Sequence, residues 1–405
     1  MTTMSERRAL LICGLIRDHQ RFGDYLDGLL RLRRGDLRVI LSTWTGELAR
    51  YPGIARRLAE LGADIAEQTQ PDLKLPGHIL HQAMTLDLGL SLLDDDVFVL
   101  KVRPDISSLG DVQEFLALAP EPAEPGRLAA PFGHRVHVVG MFGAHPLYIN
   151  DIIFAGMARD LRRLCPLPFG FGLKYPRLAP EQWLWATALV ADNPVLDAYL
   201  GVNPGLIFGE DAGNAGLRHV LAGAPLFARA LAVTAIVVRD SLAYFHPDTR
   251  RAEIAEACAE YTLDALLWDA VEIPGLDHHP TARTNTFLSA GLLDAVHDGR
   301  YRPSPLGERV WAAMARYGGM GGMASLQRDR GALAADAAEL AEGLRRIGIG
   351  GSQNPVDGAH LRHVERGRGP WSLAETGSGY AAALEAEVNQ LRRTVDQLQA
   401  RLASK

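Results

Sequence analysis

One stretch constrains the fold more than any other: Val97-Phe98-Val99-Leu100-Lys101-Val102-Arg103-Pro104-Asp105-Ile106. It leaves an acidic turn, Asp94 to Asp96, as an apolar, β-branched-rich run and ends in alternating charges beside a proline. A strand buried on both faces of a parallel sheet reads this way. Alternation puts Lys101, Arg103 and Asp105 on one side of the extended chain, with Val102 and Pro104 opposite. Open α/β sheets bind ligands beyond the carboxyl ends of their strands, so charge at that end marks the rim of a site. Arginine and lysine can hold phosphate oxygens there, and the aspartate can hold a sugar hydroxyl or a divalent cation. The alternative is a strand ending in a solvated turn, with Asp105 as a turn or cap residue.

The chain before this strand repeats a strand–helix alternation. Ala9 to Ile16 is an apolar run, and Arg17 to Arg33 carries Phe22, Leu26, Leu29 and Leu30 at helical spacing. Arg38 to Trp44 is a second strand, followed by a basic helical stretch from Glu47 to Leu61 and a weaker strand from Ala63 to Glu67. His78 to Leu93 is a further amphipathic helix that feeds the central strand. Repeated βα units imply an α/β fold with a mostly parallel sheet flanked by helices. The strand ends then converge at one edge: Gly14, Arg17 and Asp18 at the first, Thr43 and Trp44 at the second, Arg103 and Asp105 at the fourth. Gly14 lets a ligand approach the backbone closely, or serves only turn chemistry. No GxGxxG follows the first strand and no GxxxxGK[ST] occurs, which disfavours a dinucleotide site and a P-loop.

Composition narrows the partners. At 405 residues with 47% hydrophobic, the chain can bury a large core, and a net charge of −6 argues against general nucleic-acid binding. Cys13, Cys165 and Cys258 are widely spaced and form neither a disulfide framework nor a zinc pair, which points to a reducing cytoplasm. The polar start and the short apolar run behind it suit neither a secretion signal nor a membrane helix, so peripheral contact is the most a membrane is expected to make.

Downstream, Ala119 to Pro125 reads as an exposed excursion and Val136 to Met141 as a short strand. Tyr148 to Gly156 leads into a helix running toward Leu164, where Asp151 is either the N-cap or a carboxylate facing sugar hydroxyls. Pro180-Glu181-Gln182 opens another helix. There Glu181 either complements the helix dipole or acts as the general base that takes a proton from an acceptor hydroxyl. Ala232 to Arg239 is one more β-branched run of the strand type, leading to His246, a surface histidine or a metal ligand. Glu253 to Ala270, Thr286 to His297 and Gly307 to Tyr317 are helical patterns, and Gly318 to Gly322 reads as a flexible connection.

Several of these segments together resemble the WavE lipopolysaccharide-synthesis family. They are Ser42-Thr43-Trp44, the helix carrying His81-Gln82, Lys101-Val102-Arg103-Pro104-Asp105, Asn150-Asp151-Ile152-Ile153-Phe154-Ala155-Gly156 and Pro180-Glu181-Gln182. The resemblance spans roughly Leu10 to Leu189 and implies a glycosyltransferase with a GT-A-like, Rossmann-related sheet. Together with the converging strand ends, it gives an expected nucleotide-sugar donor site of Gly14, Arg17, Thr43, Trp44, Gln82, Lys101, Arg103 and Asp105, a hydroxyl-bearing acceptor, and Glu181 and Asp151 as catalytic carboxylates. It also implies a divalent cation, Mg or Mn, on Asp105 with His246. Where GT-A enzymes commonly carry Asp-X-Asp, this chain has Arg103-Pro104-Asp105, which leaves metal dependence open and lets Arg103 meet the diphosphate directly. A non-catalytic nucleotide-sugar-binding scaffold and a nucleotidyltransferase are the alternatives.

The expected organisation is a catalytic domain over 1–250, a smaller α-helical region over 251–347, a linker over 348–379 and a coiled-coil helix over 380–405. In the last, Leu384, Val388, Leu391, Val395, Leu398 and Leu402 recur at alternating steps of four and three, a heptad seam suited to a parallel two-stranded coil. Glu387 and Arg392 can pair between chains, so a homo-oligomer through 384–402 is expected; docking on the chain's own domain is the alternative. Light scattering coupled to gel filtration should give twice the chain mass for the whole protein and the single-chain mass after truncation at Gly379.

Overall fold

The computed structural model describes residues 7–32, 37–71, 78–106, 108–124, 128, 132–140, 145–166, 175, 178–190, 193–205, 215–245, 251–268 and 290–349. The linker from residue 350 on, the heptad seam and His246 therefore lie outside the described residues.

The first half folds as the alternation predicts. Strands β1 (Arg8–Cys13), β2 (Leu37–Trp44), β3 (Asp64–Gln68) and β4 (Phe98–Val102) are parallel, joined through helices α1 (His19–Leu32), α2 (Pro52–Leu61) and α3 (Ile79–Ser91). β5 (Val136–Val138), β6 (Phe154–Met157) and β7 (Leu242–Tyr244) complete a seven-stranded sheet of order β3-β2-β1-β4-β6-β5-β7. β6 is antiparallel to both its neighbours, β4 and β5, whereas β7 runs parallel to β5. The 3-2-1-4 half has a Rossmann-type strand order, and the whole is the mostly parallel, helix-flanked α/β sheet expected.

Register does the work of gathering the rim. Cys13 lies opposite Ser42, and Ile12 opposite Val102, so the residues that follow β1, β2 and β4 emerge side by side. The strands are buried on both faces, which explains their unbroken apolar runs. Leu10, Ile12, Leu100 and Val102 pack with Phe22 and Leu26 of α1 and with Phe115 of α4 (Leu109–Ala117). Leu11, Val99 and Phe154 face α3 and a core that continues through Trp185 to Leu344, so the helices after residue 250 share one apolar cluster with the sheet.

Two expectations are corrected. Ala232 to Arg239 is not a strand but part of a helix, Pro225–Ser241, almost wholly buried. Pro225 starts it, and surrounding apolar groups override the β-branched preference; an unbroken apolar run does not by itself separate strand from buried helix. No helix begins at Asp151: the chain runs from there into β6, and short helical turns, Ala158–Leu161 and Arg162–Leu164, follow. The N-cap reading of Asp151 falls with it. Gly318 to Gly321 form the turn that connects two helices, as expected, and Gly322 already opens the second of them, Gly322–Arg328.

Among the described residues no single helix is long and apolar enough to cross a membrane. Ala215–Gly223 and Pro225–Ser241 have the length and composition only as a pair bent by 78°.

A Cβ added at Gly322 would sit 2.0 Å from the Tyr317 carbonyl oxygen, whereas at Gly319 nothing lies within 4 Å. In urea denaturation Gly322→Ala should lose roughly 1–3 kcal/mol. Gly319→Ala should be neutral or gain up to about 1 kcal/mol.

Candidate active site

The rim is fixed largely by bonds to backbone. Gly14 has φ +113°, a conformation closed to most side chains, and donates its N–H to the Ser42 carbonyl at 3.0 Å. Its own carbonyl accepts from Thr43 Oγ1 at 3.0 Å. Two residues on, the Ile16 N–H donates to Oε1 of Glu47, a buried carboxylate in the turn after β2. The loop that carries Arg17 is thus held from the neighbouring strand. Asp18 accepts from the Arg21 N–H, which secures the start of α1.

Beyond β4, Arg103 and Asp105 form a bidentate pair, Nε to Oδ1 at 3.1 Å and Nη2 to Oδ2 at 2.7 Å. Arg17 approaches the same Oδ2 at 3.7 Å from the β1 loop and keeps more than half of its side chain in solvent. Two guanidinium groups and one carboxylate therefore meet where three strand ends converge. These residues do not make a metal cradle. Asp105 is already neutralised by arginines, and among the described residues no group of three His, Cys, Asp or Glu converges.

The second half of the site hangs on the segment before β6. Lys101, fully buried in β4, donates to the Asp151 carbonyl at 2.5 Å and to Ile152 at 3.2 Å, and sits 5.0 Å over the Phe154 ring. Gln82 on α3 donates to the same Asp151 carbonyl at 2.9 Å. Asn150 Oδ1 accepts from the Ile152 and Ile153 N–H groups, an Asx turn that closes the loop on itself. Upstream, Leu147 is a buried non-glycine at φ 61° and directly precedes Tyr148. Such strain persists only where the surroundings over-determine it. Here Gln182 donates to the Pro146 carbonyl at 2.8 Å, while its own Oε1 accepts from Ala179 N–H and Asn203.

Glu181 lies in the first turn of the Pro180–Leu189 helix, where proline and an acid are both favoured. Its carboxyl is pushed up to about 7, chiefly by burial and next by the charge of Asp151; its bond to Tyr148 and the charge of Arg103 oppose the shift. Oε2 is buried with no hydrogen-bond partner. Tyr148 is held well above the ordinary phenol range by burial, with the Glu181 charge adding to it. Burial brings Lys101 down to about 8, against the attraction of Asp151. A carboxyl that can gain and lose a proton near neutrality therefore stands beside an acid, a phenol and an arginine.

The structure brings the sequence-predicted residues into linked groups: Gly14 with Thr43; Arg17 with Arg103 and Asp105; Gln82 and Lys101 with Asp151, beside Glu181. Lys101 needs correction as a diphosphate ligand, because it is wholly enclosed and its ammonium is spent on carbonyls. Thr43 and Trp44 are also buried; the Trp44 ring packs edge-on against His81 at 5.3 Å, so they support the rim rather than face a ligand. Sequence reasoning missed Glu47, Tyr148 and Gln182 as site-forming groups. Asn150-Asp151 carried a readable Asx-turn signal, whereas nothing local marks Tyr148, which gains its role from Glu181 across the fold.

No family model matches the chain and no curated protein matches it, so the WavE resemblance rests on the quoted motifs alone. Among solved structures it is similar to a mannosyltransferase, PcManGT from Pyrobaculum calidifontis in complex with GDP-Man and Mn2+. The identity is 15% over 85% of this chain and 87% of that one, with a TM-score of 0.29, and likeness at that level carries no argument about chemistry here.

Glu181 also links pH to stability. Its folded pKa of about 7 exceeds the ordinary 4.5, so between these values the native state binds more protons than the unfolded one. Stability from this group is therefore present at low pH and lost as pH rises through about 7. Glu181→Gln should raise stability at pH 8 by about 2 kcal/mol and change it little at pH 4, read from paired denaturation curves.

Proposed function

We propose that the chain is a nucleotide-sugar-dependent glycosyltransferase that moves a sugar from an activated donor to an acceptor hydroxyl. The observation that carries this reading is the pairing, at one sheet rim, of Glu181 poised near neutrality with the Arg17–Arg103–Asp105 group. The sequence resemblance points the same way.

The chemistry follows from charge. As the bond between the anomeric carbon and the diphosphate oxygen breaks, negative charge grows on the departing nucleoside diphosphate, and fixed cations aimed at it lower the barrier most. Arg103 and Arg17 supply them, and each can turn from Asp105 to phosphate oxygens without leaving the rim. The new bond forms from the acceptor oxygen to the same carbon, and its proton passes to Glu181, whose affinity suits a base at neutral pH. Asp151, whose carboxylate has no hydrogen-bond partner among the described residues, is placed in this reading to accept from sugar hydroxyls. On the same reading residues 1–250 form the catalytic unit, 251–347 pack behind it and 384–402 join two copies in the cytoplasm.

A non-catalytic sugar-nucleotide binder is favoured by one feature, the single carboxylate of Arg103-Pro104-Asp105. The two readings part on Glu181, which a binder does not need near neutrality.

With a panel of nucleotide sugars, Glu181→Gln should lower kcat roughly 10²–10⁴-fold. Calorimetry should find its nucleoside diphosphate affinity nearly unchanged. Arg103→Ala should weaken that affinity about tenfold or more. Binding without turnover in the unaltered protein would favour the binder, and turnover of nucleoside triphosphates alone a nucleotidyltransferase.

A further inference from the structure

We infer that Lys101 is a positioning residue that, from beneath the sheet rim, holds the Asp151 loop in place and supplies the counter-charge Asp151 needs beside Glu181. This deepens the glycosyltransferase reading and rests on it only for the meaning of turnover, not for the contacts.

An ammonium taken fully out of water costs several kcal/mol unless charge and hydrogen bonds replace its hydration. A leucine or phenylalanine would fill the same inward position of β4 without that cost, so the contribution of the lysine is not to packing. Its hydrogen-bond partners name the contribution: the carbonyls of Asp151 and Ile152, with the face of Phe154 behind them. The charged and titratable groups around it come from every packed element. β1 brings Cys13, whose thiol burial pushes up to about 12 and so keeps neutral. The end of β4 brings Arg103, which repels, and Asp105, which attracts; the loop before β6 brings Asp151, the strongest attraction. The charge of Asp151 in turn bears on Glu181 and on Tyr148.

Asp151 is thus the shared neighbour of a buried cation and of the carboxyl that exchanges a proton. Its main chain is gripped twice, by Lys101 and by Gln82, so the loop cannot carry the carboxylate away from Glu181. Lys101 itself touches neither Glu181 nor the arginine pair, so it acts through Asp151.

The test separates charge from grip. Lys101→Gln keeps a donor and removes the cation; Gln82→Leu removes a donor and keeps the cation. The readouts are the Glu181 carboxyl titration by ¹³C NMR, the pH dependence of turnover, and calorimetry with nucleoside diphosphates. In Lys101→Gln the proton shared by Asp151 and Glu181, read at the Glu181 carboxyl, should be taken up about one pH unit higher, and the acid limb of turnover should move with it, since Asp151 loses its cation. Nucleoside diphosphate affinity should stay within about twofold. Gln82→Leu should lower turnover without moving the midpoint. An unmoved Glu181 midpoint in Lys101→Gln overturns the inference, as does a loss of nucleoside diphosphate affinity parallel to turnover, which would make Lys101 a ligand contact. Should Lys101→Gln not fold, Asp151→Asn reads the same coupling from the other side. The Lys101 ε-methylene titration should then move down by about one unit, and no movement overturns the inference. Absence of turnover with every donor would sink the glycosyltransferase reading while the NMR titrations still decide the role of Lys101.

Discussion

The buried ammonium of Lys101 is the constraint to which most of the candidate site answers. A cation inside a central strand is tolerable only if the fold brings oxygen to it, and the oxygen arrives because β6 pairs antiparallel with β4. That pairing sets Phe154 opposite Lys101, so the residues just before β6 must pass over the ammonium. Their carbonyls satisfy it, and the residue that presents the nearer one is Asp151. A parallel strand in the same slot would put its trailing end, not its leading loop, at this rim. The reversed strand and the buried lysine are therefore one device.

A second consequence is rigidity placed where regular structure stops. Loops at a sheet rim ordinarily have their N–H and C=O groups in water, but here side chains capture them: Glu47 takes Ile16, Asn150 takes Ile152 and Ile153, Gln182 reaches Pro146, and Gln82 reaches Asp151. Those of Glu47, Gln182 and Gln82 cross between separate segments and hold them in register, while Asn150 closes its own loop. The left-handed Leu147 fits this account, since a strained residue survives only inside such a frame. What the frame delivers is fixed loops under Arg17 and Asp151, the kind of preorganisation that charge stabilisation requires.

How much of this was legible in the sequence depends on the range of the determining interaction. The parallel half could be read because each βα unit writes its own period, and the charged end of β4 because alternation and a proline are local facts. Glu181 in a first helical turn was legible as a position, but its proton affinity was not, because burial and Asp151 come from elsewhere in the chain. Lys101 was misjudged for the same reason: alternation rightly put it on the side of Arg103, while the depth of the strand below the rim decides whether that side meets ligand or core. Ala232–Arg239 failed differently. Its composition suits a strand, and only a proline seven residues upstream, with apolar partners on every side, makes it a helix.

The electrostatic balance around Glu181 ties the two halves of the site together. Burial and Asp151 raise its hold on a proton, and Arg103 lowers it, so the state of Arg103 is part of the state of Glu181. On the glycosyltransferase reading, a bound diphosphate draws the charge of Arg103 to itself and away from Glu181. The carboxylate then becomes a stronger base at the moment the donor is in place. An empty rim leaves Arg103 on Asp105 and Glu181 less inclined to take a proton. The same fixed arginine can thus both neutralise the leaving group and make activation of the acceptor depend on the presence of the donor, with no moving part beyond a guanidinium changing partners.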